Sequence, residues 1–272
     1  MHSTSFNESS LSLPWLGETI QKTMADWNVE TGGPDYWREP LVAVADASDP
    51  LFASLRQVVD ASHALPGDLL PDARSVVVFF LPFQRWLGHE NAEAGDMAAR
   101  SWAQAYVSTN LLIRAINLDL EAAVVERGGK AFPTPATHNF DESKLVSGWS
   151  HKHLAYIAGL GTFGSHHWLI TPSGCCGRLG SLVTTLELPT TPRPARELCL
   201  VKAGKKCHAC VAHCTFGALQ PSRFDRQLCY TQCLKNDAHH GDLPLVDVCG
   251  KCGCDVPCSY SIPVALEAAS RR

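Results

Sequence analysis

No cysteine precedes Cys175 in this chain of 272 residues. A long body without thiols has no disulfide framework to hold it. Basic residues show no excess, with Lys and Arg at 23 against Asp and Glu at 27, a net charge of −4. That balance argues against an autonomous nucleic-acid binder working through a basic surface. The first ten residues, MHSTSFNESS, are polar and contain no apolar signal-peptide stretch. The most apolar run, Val76 to Phe83, is far too short to cross a bilayer. The expected location is therefore the cytoplasm. No Walker A sequence, G-x-S-x-G elbow, internal repeat or low-complexity tract is present. The GLGTFG stretch fits G-x-G-x-x-G, but it follows a predicted helix rather than a strand and does not predict a dinucleotide fold. With 45% hydrophobic and 18% charged residues, what remains is a globular chain of one large domain, with or without a small appendage.

Periodicity predicts a mixture of helices and strands without βαβ alternation, an α+β arrangement. Residues 1–40 read as an arm with one helix near Leu16 to Trp27. Residues 51–60 carry helical apolar spacing. Val76 to Pro82 lies in a continuous β-branched and aromatic run, a buried strand. Met97 to Arg127 reads as a long helix stopped by Gly128 and Gly129. A short strand follows near Lys130 to Phe132, then a loop over 133–150 and a helix over Trp149 to Ala158. His167 to Thr171 and Gly180 to Leu188 read as two strands around the Pro172–Gly177 turn.

All twelve cysteines fall from Cys175 onward, and ten of them lie between Cys199 and Cys258. The first run is Cys199-x7-Cys207-x2-Cys210-x3-Cys214. The second is Cys229-x3-Cys233, then Cys249-x2-Cys252-x-Cys254-x3-Cys258. Two-cluster ferredoxins use C-x2-C-x2-C-x3-C twice, and the last cysteine of each run ligates the other cluster. Cys207, Cys210 and Cys214 match the last three positions. Gly204 stands at the first, so Cys199 is expected to supply the missing thiolate. This spacing predicts one [4Fe–4S] cluster on Cys199, Cys207, Cys210 and Cys258. The other would use Cys214, Cys229, Cys249 and Cys252, leaving Cys233 and Cys254 over. Two four-thiolate zinc sites or a disulfide set are the alternatives, but C-x2-C-x3-C with a cross-over partner suits iron–sulfur better.

The stretches WSHKHLAYIAGLGTFG (149–164), LITPSGCCGRLGSLVTT (169–185) and CHACVAHCTFGAL (207–219) resemble the epoxyqueuosine reductase family and its shorter iron–sulfur relatives. ARSVVVFFLPF (73–83) is similar to that family's early strand. The resemblance covers roughly residues 70–262. It implies a nitroreductase-like cofactor and substrate domain over 41–192, after the 1–40 arm, and a ferredoxin-like domain with two [4Fe–4S] clusters over 193–272. It further implies a cobalamin-dependent oxidoreductase, fed by an external electron donor, that reduces an electrophilic substrate such as a modified tRNA nucleoside. By the same analogy Gly159, Gly161, Gly164, Cys175, Cys176 and Arg178 would lie near the corrin, and Asp141 would supply the proton. The sequence departs from the family at Gly204 and Thr215 and in the acidic segment HNFDESKLVSGWSHKH. The net charge gives tRNA no support as a partner.

Each of these residues also has a plainer reading. Cys175 and Cys176 suit a tight turn, Arg178 suits a surface, and His151 and His153 are two apart and face different sides of a helix. The alternatives to the cobalamin enzyme are a non-catalytic [4Fe–4S] electron carrier, or a flavin reductase with FMN in the body. A carrier needs only a short module, so the long cysteine-free body favours an enzyme.

Overall fold

The computed structural model describes residues 14–136, 140–263 and 266. Helix α1 (Pro14–Thr31) precedes strand β1 (Leu41–Asp46), helices α2 (Pro50–Val58) and α3 (Pro66–Leu69), and strand β2 (Ser75–Pro82). Helices α4 (Arg85–Glu93) and α5 (Arg100–Glu126) and strands β3 (Ala131–Pro133), β4 (Phe140–Asp141) and β5 (Val146–Ser147) come next. Helix α6 (His151–Ile157) leads to β6 (Thr162–Phe163), β7 (Leu169–Ile170) and β8 (Gly177–Thr184). The cysteine tail holds α7 (Ala209–Ala212), α8 (Arg226–His239) and a 3-10 turn over Lys251–Gly253.

The main sheet has the order β1-β2-β8-β3, and every neighbouring pair is antiparallel. Strand β2 is buried at all eight positions. Its alternation separates two cores, as the two-residue period of a strand requires. Val77, Phe79 and Leu81 pack with α1 and α5, while Val76, Val78 and Phe80 face α2 and α6. Each of these large side chains contributes about 2 kcal/mol by leaving water. The predicted strand and the long helix α5 are both present. The helix ends where Gly128 takes a positive φ and the amides of Gly128 and Gly129 return to the carbonyls of Val125 and Val124.

The helix expected near Leu16 to Trp27 is present as α1, and Leu16, Ile20 and Trp37 are buried in the α5 core; residues 1–13 lie outside the described residues. Two expectations change. The strands around the Pro172–Gly177 turn do not pair with each other. Strand β7 pairs with β6, and β8 pairs with β2 and β3. The 133–150 loop carries the small β4–β5 hairpin.

The tail is tied into the body. The amides of Cys175 and Cys176 donate to the carbonyls of Cys258 and Ser259, each at 2.9 Å. The Asn91 amide donates to the Cys249 carbonyl at 2.9 Å. Asn236 accepts from the Ala98 amide at 3.0 Å and donates to the Val248 carbonyl at 2.7 Å.

Candidate functional site

Helices α7 and α8, the 3-10 turn and the loops between them gather the tail cysteines into two groups. Cys199, Cys207, Cys210 and Cys258 line one small cavity. Cys214, Cys229, Cys249 and Cys252 line another of about 250 Å3, with Cys233 as a fifth thiol. Burial pushes the Cys210 thiol up to about 11, and Cys258, Cys207 and Cys199 add to the rise. Burial likewise pushes Cys249 up to about 12, helped by Cys229 and Cys214. Crowded buried thiols of this kind cannot ionise together unless a cation shares them, so the donor set suits a thiolate metal centre.

Polar groups already point at some of the sulfurs. The Leu219 amide donates to Cys214 Sγ at 3.3 Å. Nε2 of His166 lies 3.3 Å from Cys258 Sγ, and the donor atoms of His166, Cys175 and Cys258 all fall within 4.8 Å of one another. A hydrogen bond from the Cys175 thiol holds Cys258 below the ordinary thiol range against the opposing effect of burial. Cys233 donates similarly to Cys229 and holds it down. Lys251 is buried with its ammonium bonded to the Asn91 carbonyl; burial lowers its pKa, and the nearby Cys249 and Cys254 oppose that fall.

Beside these groups the sheet, α5 and the tail enclose a central cavity of about 260 Å3. A larger one of about 730 Å3 opens next to it, over α5, the β3 end and α8. Tyr106 of α5 lines both, and also the Cys249 cavity. Its hydroxyl donates to Asp247 Oδ1 at 2.5 Å, and the Arg178 guanidinium sits 4.2 Å from its ring centroid. Burial raises the Tyr106 pKa, and the Arg178 charge opposes that rise. Among the described residues, three buried polar atoms of side chains that line these cavities have no partner: Trp102 Nε1, Asn110 Oδ1 and Asn117 Oδ1. A ligand with amides on its periphery would satisfy both kinds of orphan.

No protein family and no curated protein matches the sequence. Solved structures do match. The Bacillus subtilis epoxyqueuosine reductase, solved with its catalytic loop swung out of the active site, is 15% identical over 90% of this chain and 67% of its own, with a TM-score of 0.52. A selenomethionine-labelled epoxyqueuosine reductase is 16% identical over 89% of this chain and 66% of its own, with a TM-score of 0.51. A reductive dehalogenase, whose structure suggests a mechanism for B12-dependent dehalogenation, is 15% identical over 99% of this chain and 35% of its own, with a TM-score of 0.58. The chain has the epoxyqueuosine reductase fold. It spans about two thirds of the length of those reductases and about a third of the dehalogenase.

The sequence-predicted residues divide by position. Cys175 and Arg178 line the central cavity. Cys176 is buried in the α5 core and is not among the lining residues. Gly159 and Gly161 line none of these cavities. A Cβ on Gly159 would meet the Pro192 carbonyl, and one on Gly161 would collide with the Ile170 carbonyl, so both glycines serve close backbone packing. Gly164 lines a separate cavity between α2 and α6.

Asp141 does not line the central space. Its Oδ1 accepts from the Ser143 hydroxyl at 2.6 Å and from the amides of Ser143 and Lys144, closing the β4–β5 turn. Those bonds, that to the Ser143 hydroxyl foremost, hold its carboxyl below the usual range. It is ionised at neutral pH and has no proton to give. Its neighbour Glu142 does line the 730 Å3 cavity. Tyr106, Asp247 and Lys251 were missed by sequence reasoning. Tyr106 reads as one more core aromatic on a long helix, and its partner lies 141 positions away.

Proposed function

We propose that this chain is an iron–sulfur reductase that holds a cobalamin in the joined cavities around Tyr106 and reduces an electrophilic substrate there. Two separate groups of four and five cysteines, beside two adjoining cavities with unpartnered polar atoms in their walls, carry the reading. Cys199, Cys207, Cys210 and Cys258 would hold one [4Fe–4S] cluster, and Cys214, Cys229, Cys249 and Cys252 the other. The neighbouring folds support the cobalamin, since one such dehalogenase is described as B12-dependent. Bound cobalamin would supply a metal that accepts electrons singly and passes them to carbon.

The chain's own groups orient the substrate, exclude water and move the proton. Tyr106 stays protonated at neutral pH because burial disfavours its phenolate. Asp247 fixes the direction of its hydroxyl. Transfer of the proton from Tyr106 Oη to the reduced substrate would turn the hydroxyl away from Asp247 Oδ1 and leave a phenolate that the Arg178 charge favours and the Asp247 charge opposes. Asn110, Asn117 and Trp102 would grip the periphery of the corrin. The substrate class is an electrophile, an epoxide or a halide on a flat ring, that fits against Phe80 and Trp102.

Gel filtration of anaerobic protein with added cobalamin and FMN tests the proposal. Co-elution of cobalamin near one per chain is expected. Protein that retains no cobalamin, with or without FMN, overturns the cobalamin reading. Tyr106→Phe should keep cobalamin and both clusters while lowering turnover about a hundredfold, the usual effect of losing a general acid.

A further inference from the structure

A cavity of about 390 Å3 lies between α2 and α6 and shares the lining residue Lys152 with the central cavity beside Tyr106. Leu51, Leu55 and Val58 of α2 form one wall, and the rings of Tyr156 and Phe163 form the other. Those rings lie 5.7 Å apart and tilted by 32°. His153 packs 5.0 Å from Phe163. Burial draws its pKa down to about 4, so it adds a neutral surface at physiological pH. Lys202 lines the same cavity, and so does Lys152, which also lines the central cavity, donates to the His167 carbonyl at 3.4 Å and has its pKa lowered by burial; none of the lining residues carries a carboxylate. The volume is that of a small-molecule site. An apolar slot with two ammonium groups selects a flat aromatic body bearing an anion.

Ser165 lines this cavity and also the Cys199 cavity. Its hydroxyl lies 3.5 Å from Cys199 Sγ. An occupant is therefore one side chain away from a candidate cluster ligand.

We propose that this cavity is the entry port for reducing equivalents and takes a reduced flavin mononucleotide, its ring system between α2 and Phe163 and its phosphate on Lys152 and Lys202. The inference rests on the cluster reading above. The electron count closes on the two clusters. The reduced flavin gives up two electrons and two protons and becomes oxidised flavin. Each [4Fe–4S]2+ cluster takes one electron, the first through Cys199, and the protons leave to solvent through the open mouth of the cavity.

The probe is FMN itself, titrated into iron-loaded protein and followed by loss of flavin fluorescence, with riboflavin as the phosphate-free control. Val58 is 67% exposed, so Val58→Trp fills the slot without disturbing the core. Wild-type protein should bind FMN at micromolar levels, and Val58→Trp should abolish binding. Lys202→Glu, and replacement of FMN by riboflavin, should each weaken it about tenfold. Photoreduced FMN should bleach the cluster absorbance at least about tenfold more slowly in Val58→Trp. Equal binding to wild type and Val58→Trp would mean the flavin sits elsewhere, and no binding at about 1 mM would leave the port empty; either overturns the inference. The two readings fail separately. Iron-loaded protein that ignores FMN sinks the port and leaves the clusters. Protein that binds FMN at a Val58-sensitive site but carries no iron keeps the site and sinks the cluster reading.

Discussion

At the scale of single residues, three histidines are kept neutral by burial. Desolvation is the first cause of the lowered pKa of His63, His153 and His167. His63 also has a fixed tautomer: Nδ1 donates to the Ala64 carbonyl at 2.7 Å, which leaves Nε2 to accept from the Ser150 amide at 3.0 Å. Protonation would break that second bond. The folded-state pKa of each group lies below its ordinary value of 6.5, so below pH 6.5 the unfolded chain binds more protons. Stability is therefore full above pH 6.5 and falls as the pH drops toward about 4. Urea midpoints at pH 7.5 and pH 5 should show that fall, and His153→Leu should make it shallower. A midpoint independent of pH would show that these rings are not held neutral. The cysteine spacing was legible because a short loop brings Cys207 near Cys210 whatever the rest of the fold does. The Tyr106, Asp247 and Arg178 group was not, since its members come from α5, the tail and β8 and meet only through tertiary packing.

At the scale of elements, the strands and helices whose signal is local emerged from the sequence. Strand β2 announced itself because both its faces are buried, and α5 because its apolar period runs unbroken to Gly128. Strand pairing did not. The glycine-rich turn before β8 looks like a hairpin, yet Phe79 and Gly180 face each other across β2 and β8, where a Cβ on Gly180 would strike the Phe79 ring. That fit favours β2 over β7 as the partner. The start of α5 is a second case. Ala99 caps it without a side-chain bond of its own. Asn91 from α4 and Asn236 from α8 accept from the amides of Ala99 and Ala98 instead. Asn236→Ala leaves the Ala98 amide and the Val248 carbonyl buried without that partner, at a cost of about 1–3 kcal/mol. A lower unfolding midpoint is expected, together with faster iron loss from the Cys249 cavity. An unchanged midpoint would mean that water takes over both bonds.

At the scale of the molecule, body and tail form one assembly around the cavities. The tail supplies Asp247 and Val248 to the space that α5 and the sheet enclose, and the body supplies His166 and Cys175 to the sulfur of Cys258. Residues 193–272 therefore do not stand apart from residues 41–192. The arrangement instead puts the candidate cluster ligands next to the cavity where reduction would occur, and it couples tail folding to metal binding, because the crowded buried thiols repel one another as soon as they ionise. The account stands on those thiols holding two clusters. Its most direct test is the iron, sulfide, zinc and cobalt content of protein purified without oxygen from cells supplied with cobalamin. The account predicts about eight irons and about eight sulfides per chain, with about one cobalt. About two zincs per chain and no sulfide would contradict it, and with it the redox role assigned to the cavities.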